Sequence, residues 1–190
     1  MLIVCEGKNT EPSYFSNFRL SSVKVIAIGE GKNTVSLVVR ACELAGENTY
    51  EQTWCVFDKD DFSNENFNKA IEIANSNGIS VAYSNQAFEY WILLHLNDHQ
   101  GGKMHRSLYE KKINSKLKSF GLCYNKDRHK QITEQLFEFL IGYNHNNQRR
   151  VDLAITRAKR NYNQFDHTNP AQEESSTTVF KLVEELLKHE

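Results

Sequence analysis

Two prolines in 190 residues, four scattered cysteines and no long apolar run are the first features of this sequence. With so few prolines, long uninterrupted elements are expected. Cys5, Cys42, Cys55 and Cys123 form no C-x-x-C pair, which argues against a zinc ribbon or a disulfide scaffold. Cys5 and Cys55 sit inside apolar runs, where a thiol packs as a small hydrophobe. No stretch approaches the ~20 apolar residues a bilayer requires. Cys5 and Glu6 also interrupt the opening apolar run, so the expectation is a cytoplasmic protein without a secretory leader, a membrane span or a membrane partner.

Familiar motifs fail on inspection. Gly29-Glu30-Gly31-Lys32 lacks the glycine that a phosphate loop needs five residues earlier, where Ile26 stands. Asp58-Lys59-Asp60-Asp61-Phe62-Ser63 lacks both the fifth-place oxygen ligand and the sixth-place glycine of a calcium loop. The seven histidines include no H-E-x-x-H pattern, which speaks against a zinc hydrolase.

What is present is a succession of short apolar runs alternating with helical periodicity. Met1–Cys5, Lys24–Ile28, Thr53–Phe57 and Ile79–Tyr83 read as strands. Between them, Glu11-Pro12-Ser13-Tyr14-Phe15 opens a helix with proline in its first turn. Asn33 or Thr34 can cap a second helix, Ser63 or Asn64 a third, and Phe88–Leu96 reads as a fourth. The β-α-β-α-β-α-β-α order predicts an α/β fold: a four-stranded, mainly parallel sheet flanked by helices. Beyond His99-Gln100-Gly101-Gly102 no strand-like run appears, and helices are expected over 107–120, 127–142, 149–163 and 176–189, the last capped from within Ser175–Thr178. The expected organisation is a core over 1–100 and a helical extension over 101–190 packed upon it.

A net charge of −1 conceals an asymmetry. Residues 1–100 carry a balance of −6, residues 101–160 one of +9 and residues 161–190 one of −4. An acidic half that concentrates cations beside a basic half suits a metal-dependent enzyme acting on a polyanion; a solvated helical face is the plainer alternative.

The acids cluster where two strands end. Glu6-Gly7-Lys8 follows the first strand and Asp58-Lys59-Asp60-Asp61 the third. If extended geometry continues past Phe57, Asp58 and Asp60 point the same way, and Glu6 from a neighbouring strand makes three carboxylates around one point. Like charges at such range repel, and a divalent cation relieves them; oxygen-only ligands select Mg²⁺ or Mn²⁺. Helix capping at strand ends is the competing account. Glu89 lies close to the end of strand four, where a fourth oxygen ligand could stand. His95 shares a helical face with Phe88, Trp91 and Ile92, which by default makes it a packed histidine.

Three stretches carry a family resemblance: Val4-Cys5-Glu6-Gly7-Lys8-Asn9-Thr10-Glu11-Pro12-Ser13-Tyr14-Phe15, Val56-Phe57-Asp58-Lys59-Asp60-Asp61-Phe62, and Ser84-Asn85-Gln86-Ala87-Phe88-Glu89-Tyr90-Trp91 with Leu93-Leu94-His95. With Asn169-Pro170 and Ser176-Thr177-Thr178-Val179, they resemble the RloB family in order and spacing over nearly the whole chain. Gln86 departs from the pattern, since the family more often has proline there. The resemblance implies a Toprim-like fold and a role in bacterial anti-phage defence, beside a partner ATPase of the SMC/ABC-like type. Toprim enzymes use a glutamate ending the first strand and an Asp-x-Asp ending a later one, which correspond here to Glu6, Asp58 and Asp60.

The expected function is a Mg²⁺- or Mn²⁺-dependent nuclease, with RNA slightly favoured over DNA. Glu6, Asp58 and Asp60 would hold metal and carry catalysis, with Glu89 as a further ligand and Lys8 offsetting phosphate charge. Asp61 and His95 would support them from behind. Lys103, Arg106, Lys111, Lys112, Arg149, Arg150, Arg157 and Lys159 would track the nucleic-acid backbone, and Tyr109, Phe120 and Tyr124 are candidate stacking residues. The alternative is a non-catalytic regulatory subunit that binds metal or nucleotide and docks the ATPase. A homo-oligomer is compatible with either.

Overall fold

A computed structural model describes residues 1–28, 34–60, 63–125 and 129–189. The elements in order are β1 (Leu2–Cys5), α1 (Thr10–Ser16), β2 (Lys24–Ala27), α2 (Thr34–Glu47), β3 (Thr53–Asp58), α3 (Asn64–Ser76), β4 (Ser80–Asn85) and α4 (Glu89–Leu96). Then come α5 (Tyr109–Leu117), α6 (Glu134–Ile141), α7 (Arg150–Tyr162), β5 (Ser176–Thr177) and α8 (Val179–Leu187). Single 3₁₀ turns flank α5 at Arg106–Leu108 and Lys118–Phe120, and a third spans Pro170–Gln172.

The sheet order is β2-β1-β3-β4-β5. The first four strands are parallel and β5 joins β4 antiparallel. Five strands therefore replace the expected four. The fifth lies in the half expected to be wholly helical, within Ser175–Thr178, which the sequence marked as helix caps. Hydroxyls explain the difference. Ser84 and Thr177 meet oxygen to oxygen at 3.0 Å, and Thr178 Oγ1 accepts from the Tyr83 N–H at 2.9 Å. The segment thus serves the edge of β4 before it turns into α8, and Thr177 Oγ1 still accepts from the Val179 N–H, so part of the capping role survives.

Alternation along the strands builds two apolar layers. Ile3, Cys5, Trp54 and Val56 face a layer completed by α1, α4 and most of the later helices, through Trp91, Leu136, Ala154 and Leu182. Leu2, Val4, Cys55 and Phe57 face α2 and α3, through Leu37, Val38, Phe67 and Ala70. All four cysteines are free thiols. The larger core takes buried residues from both halves of the chain, so residue 100 marks a change of element type inside one packed body.

Helix boundaries follow their caps. Ser63 Oγ accepts from Asn66 N and opens α3, as its position in the sequence suggests. Thr133 Oγ1 accepts from Leu136 N, which starts α6 at Glu134, several residues later than periodicity implied. Asn33, the other candidate cap for α2, lies outside the described residues, and Thr34 is the first residue of that helix. Among the described residues no helix is long and apolar enough to cross a membrane.

Candidate active site

The carboxyl ends of parallel strands β1, β3 and β4 open on one cleft of about 350 Å³, lined by Glu6, Lys8, Glu11, Asp58, Asp60, Glu89, Arg106 and Lys130 among others. Such an edge, where helices leave a parallel sheet, is where α/β folds place ligands. Cys5 is paired with Val56 across the β1–β3 ladder, and Glu6 N donates to Val56 O at 2.9 Å. That register sets Glu6 beside the last residue of β3: the Asp58 N–H donates to Glu6 Oε2 at 3.3 Å.

Asp60 arrives by a different route from the expected one. Extended geometry stops at Asp58. Lys59 N donates to Ser84 O and Asp60 N to Gln86 O, bending the chain over the end of β4. Asp60 then adopts a left-handed backbone with φ of 45°, a region that aspartate tolerates better than most residues. The i, i+2 argument consequently does not hold here, although Asp58 and Asp60 still line the same cleft. The Asp60 carboxylate forms an ion pair with Arg106. Gln86 is tightly engaged: besides its main-chain contact to Asp60, its side-chain oxygen accepts from Arg106 N at 2.8 Å.

Glu89, the first residue of α4, is 8% exposed. Its Oε1 accepts from the Tyr124 hydroxyl at 2.9 Å and from Lys130 Nζ at 3.1 Å. Thr10, at the start of α1, ties the same group down by donating to Lys130 O at 2.7 Å. Glu11 follows and is 7% exposed. Its carboxylate fills the space above Gly7, where an added Cβ would lie 2.3 Å from Glu11 Oε2; a side chain at position 7 would displace that acid.

Five carboxylates in one half-enclosed space repel one another. Burial, reinforced by the charge on Glu11, raises the Glu6 pKa to about 7, against the opposing pull of the Asp58 N–H and Arg106. Burial, reinforced by Glu89, raises Glu11 to about 7 as well. Asp58 is pushed well above the carboxylate range by burial and by the charges of Glu11, Glu89 and Glu6. Among the described residues Glu6 Oε1 and Asp58 Oδ1 are buried with no hydrogen-bond partner.

Two acidic oxygens without partners on neighbouring residues of one cleft, in an all-oxygen donor set, fit the chemistry of a hard divalent cation. Glu6 and Asp58 would be the residues to hold such a cation, while Asp60 is engaged by Arg106. Glu89 is less available, since Oε1 is committed to Tyr124 and Lys130. Among the described residues no three His, Cys, Asp or Glu side chains stand as a group that could hold a metal ion.

Of the other expected site residues, Lys8 lines the cleft and is exposed, whereas Asp61 lies outside the described residues. His95 is not among the cleft residues. It is buried in the core, with Nδ1 2.9 Å from Trp91 O and Nε2 3.3 Å from the Tyr14 hydroxyl, the packed arrangement its helical face suggests. Glu11 and Lys130 were not singled out as site residues in the sequence, Tyr124 was read as a stacking aromatic and not as a partner of Glu89, and Arg106 was read only as a backbone-tracking cation. Glu11 had a signal in the strand-end stretch Glu6–Phe15, masked by its plausible role at a helix start.

The basic residues divide. Lys103, Lys111 and Lys112 are exposed. Lys159 pairs with Glu184, and Arg149 precedes α7 half-buried. Arg157 Nη1 donates to Leu94 O at 2.6 Å. Arg150 Nη1 donates to Phe139 O and Tyr143 O. Tyr109 and Tyr124 are buried, whereas Phe120 is exposed.

A family model described as RloB-like protein matches residues 1–186. The chain belongs to the RloB-like family. Within this RloB-like chain the match takes in both strand-end acid stretches and the cations that face them. No curated protein and no solved structure matches it.

Proposed function

We propose that this RloB-like protein is a Toprim-like, Mg²⁺- or Mn²⁺-dependent nuclease acting in bacterial anti-phage defence, with RNA slightly favoured over DNA and an SMC/ABC-like ATPase as its partner. The observation that carries the reading is the pairing of Glu6 with Asp58, each with a buried oxygen that lacks a partner, in a cleft rimmed by Arg106 and Lys130. A bound divalent cation would polarise the scissile phosphate and lower the pKa of the attacking water. Glu6 and Asp58 would hold it. Glu6 would act either as a ligand or as a general acid or base, the second role needing a pKa tuned by the nearby cation. Arg106, Lys130 and Lys8 would balance charge on the phosphate.

The test is incubation of the purified protein with total RNA and with plasmid DNA, in Mg²⁺, Mn²⁺ or EDTA, followed by mapping of the ends. Cation-dependent cuts that vanish in Asp58→Asn and Glu6→Gln are expected; cutting that survives Asp58→Ala/Asp60→Ala would remove the proposal. The Arg106–Asp60 ion pair favours a second reading, in which the cleft holds an ion or a nucleotide for regulation and docks the ATPase without cutting. Binding of cation with no cleavage of either polymer, alone or with the ATPase, would select it.

A further inference from the structure

A second cavity, of about 450 Å³, lies at the other end of α4 and is lined by Lys116, Phe120, Phe139, Arg150 and Arg157, with His95 and His145 beside them. No Asp or Glu is among its described lining residues, in a chain whose acids slightly outnumber its bases. The volume suits a small ligand or one unit of a polymer.

Its wall is aromatic and cationic together. The Phe120 and Phe139 rings lie 4.7 Å apart. The Arg150 guanidinium sits over Phe139 at 3.9 Å and within 5.7 Å of Phe120. Phe120 is 56% exposed, so its ring is open to solvent on this wall. Arg150 and Arg157 each commit Nη1 to main-chain carbonyls, and Arg157 Nε also faces Asp98 at 3.9 Å; these contacts hold both guanidinium groups in place, and a guanidinium carries five donors in all. Burial pushes both of their pKa values down, a cost that a bound anion offsets.

Helix α5 contributes residues both to this cavity and to a hollow beside the acidic cleft. Glu89, Arg106 and Lys130 belong both to that cleft and to an adjoining hollow reaching His105, Ser107 and Glu110. From Glu110 to Lys116, α5 advances ~9 Å, with Lys112, Ser115 and Lys116 on its exposed surface.

We infer that this cavity binds one nucleotide unit of a single-stranded nucleic acid whose neighbouring part enters the acidic cleft, the base against Phe120 and Phe139 and the phosphate against Lys116, Arg150 and Arg157. The inference rests on the nuclease reading for the polymer's identity, and it adds the strand's path and an anchoring site. An aromatic platform beside a cationic groove is the general device for gripping single strands, because every base offers a face to stack.

Binding in EDTA separates this from cleavage. Fluorescence anisotropy with labelled single-stranded RNA and DNA of about 12 nucleotides, within the span of a single-strand site, is the measurement. Phe120→Ala is expected to weaken binding about 5- to 100-fold while Phe120→Trp keeps it. Lys116→Ala is expected to lower the slope of log affinity against log salt by roughly one. Both positions are exposed, so the fold should survive, which circular dichroism checks. Wild-type affinity in both Phe120→Ala and Lys116→Ala, or no binding by the wild type, overturns the inference. Phe120-dependent binding without cleavage in any metal would leave this site standing and remove the nuclease; cleavage with Phe120-independent binding would do the reverse.

Discussion

The main-chain N–H of Asp58 donates to Glu6 Oε2 at 3.3 Å, across 52 residues of sequence. That contact fixes two acids from neighbouring strands side by side, and it satisfies only one of the glutamate's oxygens. Among the described residues Glu6 Oε1 and Asp58 Oδ1 find no hydrogen-bond partner. A proton relieves the repulsion between them, and a divalent cation would do the same.

Glu6 is expected to destabilise the cation-free protein at alkaline pH. Its pKa rises from 4.5 to about 7 on folding, so the folded state binds more protons than the unfolded one between those values. Stability from this group is then present at low pH and lost as pH rises through 7, by about 3 kcal/mol at most. Glu6→Gln should be more stable than wild type at pH 8 and close to it at pH 5 in urea melts. An equal change at both pH values would contradict the assignment.

Divalent cations should stabilise the protein more at pH 8 than at pH 6. A carboxyl that titrates near 7 must lose its proton to ligate, so apparent affinity is expected to fall about tenfold per pH unit below that point for each proton released. Mn²⁺ titrations followed by thermal shift measure this. Asp58→Asn should abolish most of the shift, whereas Arg106→Gln should enlarge it by freeing Asp60 from its ion pair.

Gly7→Ala is expected to cost about 1–3 kcal/mol, because its Cβ would meet Glu11 Oε2 at 2.3 Å. Glu11 is buried and has little room to yield. Gly7→Ala/Glu11→Gly should recover most of the loss in chemical denaturation, and failure to recover would show that the clash lies elsewhere.

His95 acts in the opposite sense to Glu6. Burial, with a smaller contribution from Arg157 and against the hydrogen bond to Trp91, lowers its pKa from 6.5 to about 4. The unfolded chain therefore takes up a proton that the folded one refuses. Its contribution is complete above pH 6.5 and is lost as pH falls toward 4, by about 3 kcal/mol. The two windows overlap, so the wild type conceals both effects. His95→Gln should raise stability at pH 4.5 relative to pH 7 in comparison with wild type, which denaturant midpoints at the two pH values will measure.

Much of the strand-end site was legible because its local causes lie within a few residues of one another. Apolar runs that break into carboxylates marked where β1 and β3 would end, and Glu6, Asp58 and Asp60 do line one cleft. The reason given for Asp60 was nevertheless mistaken: its φ of 45° comes from hydrogen bonds to the end of β4, which no strand periodicity reveals. Glu11 illustrates another limit. An acid before proline at a helix start has an adequate local explanation, and only its burial above Gly7 shows the other role.

The order of apolar and polar residues, read alone, determined four parallel strands, the helices between them and an acidic edge, since period and capping are properties of neighbouring residues. The tertiary structure alone decided that Tyr124 and Lys130 would reach Glu89, that Arg106 would take Asp60, and that Ser176–Thr177 would become a fifth strand. Those partners lie far along the chain, as with Thr10 and Tyr124 at 114 residues. Strand order and the packing of the later helices bring them together, and local conformational preference carries no record of either.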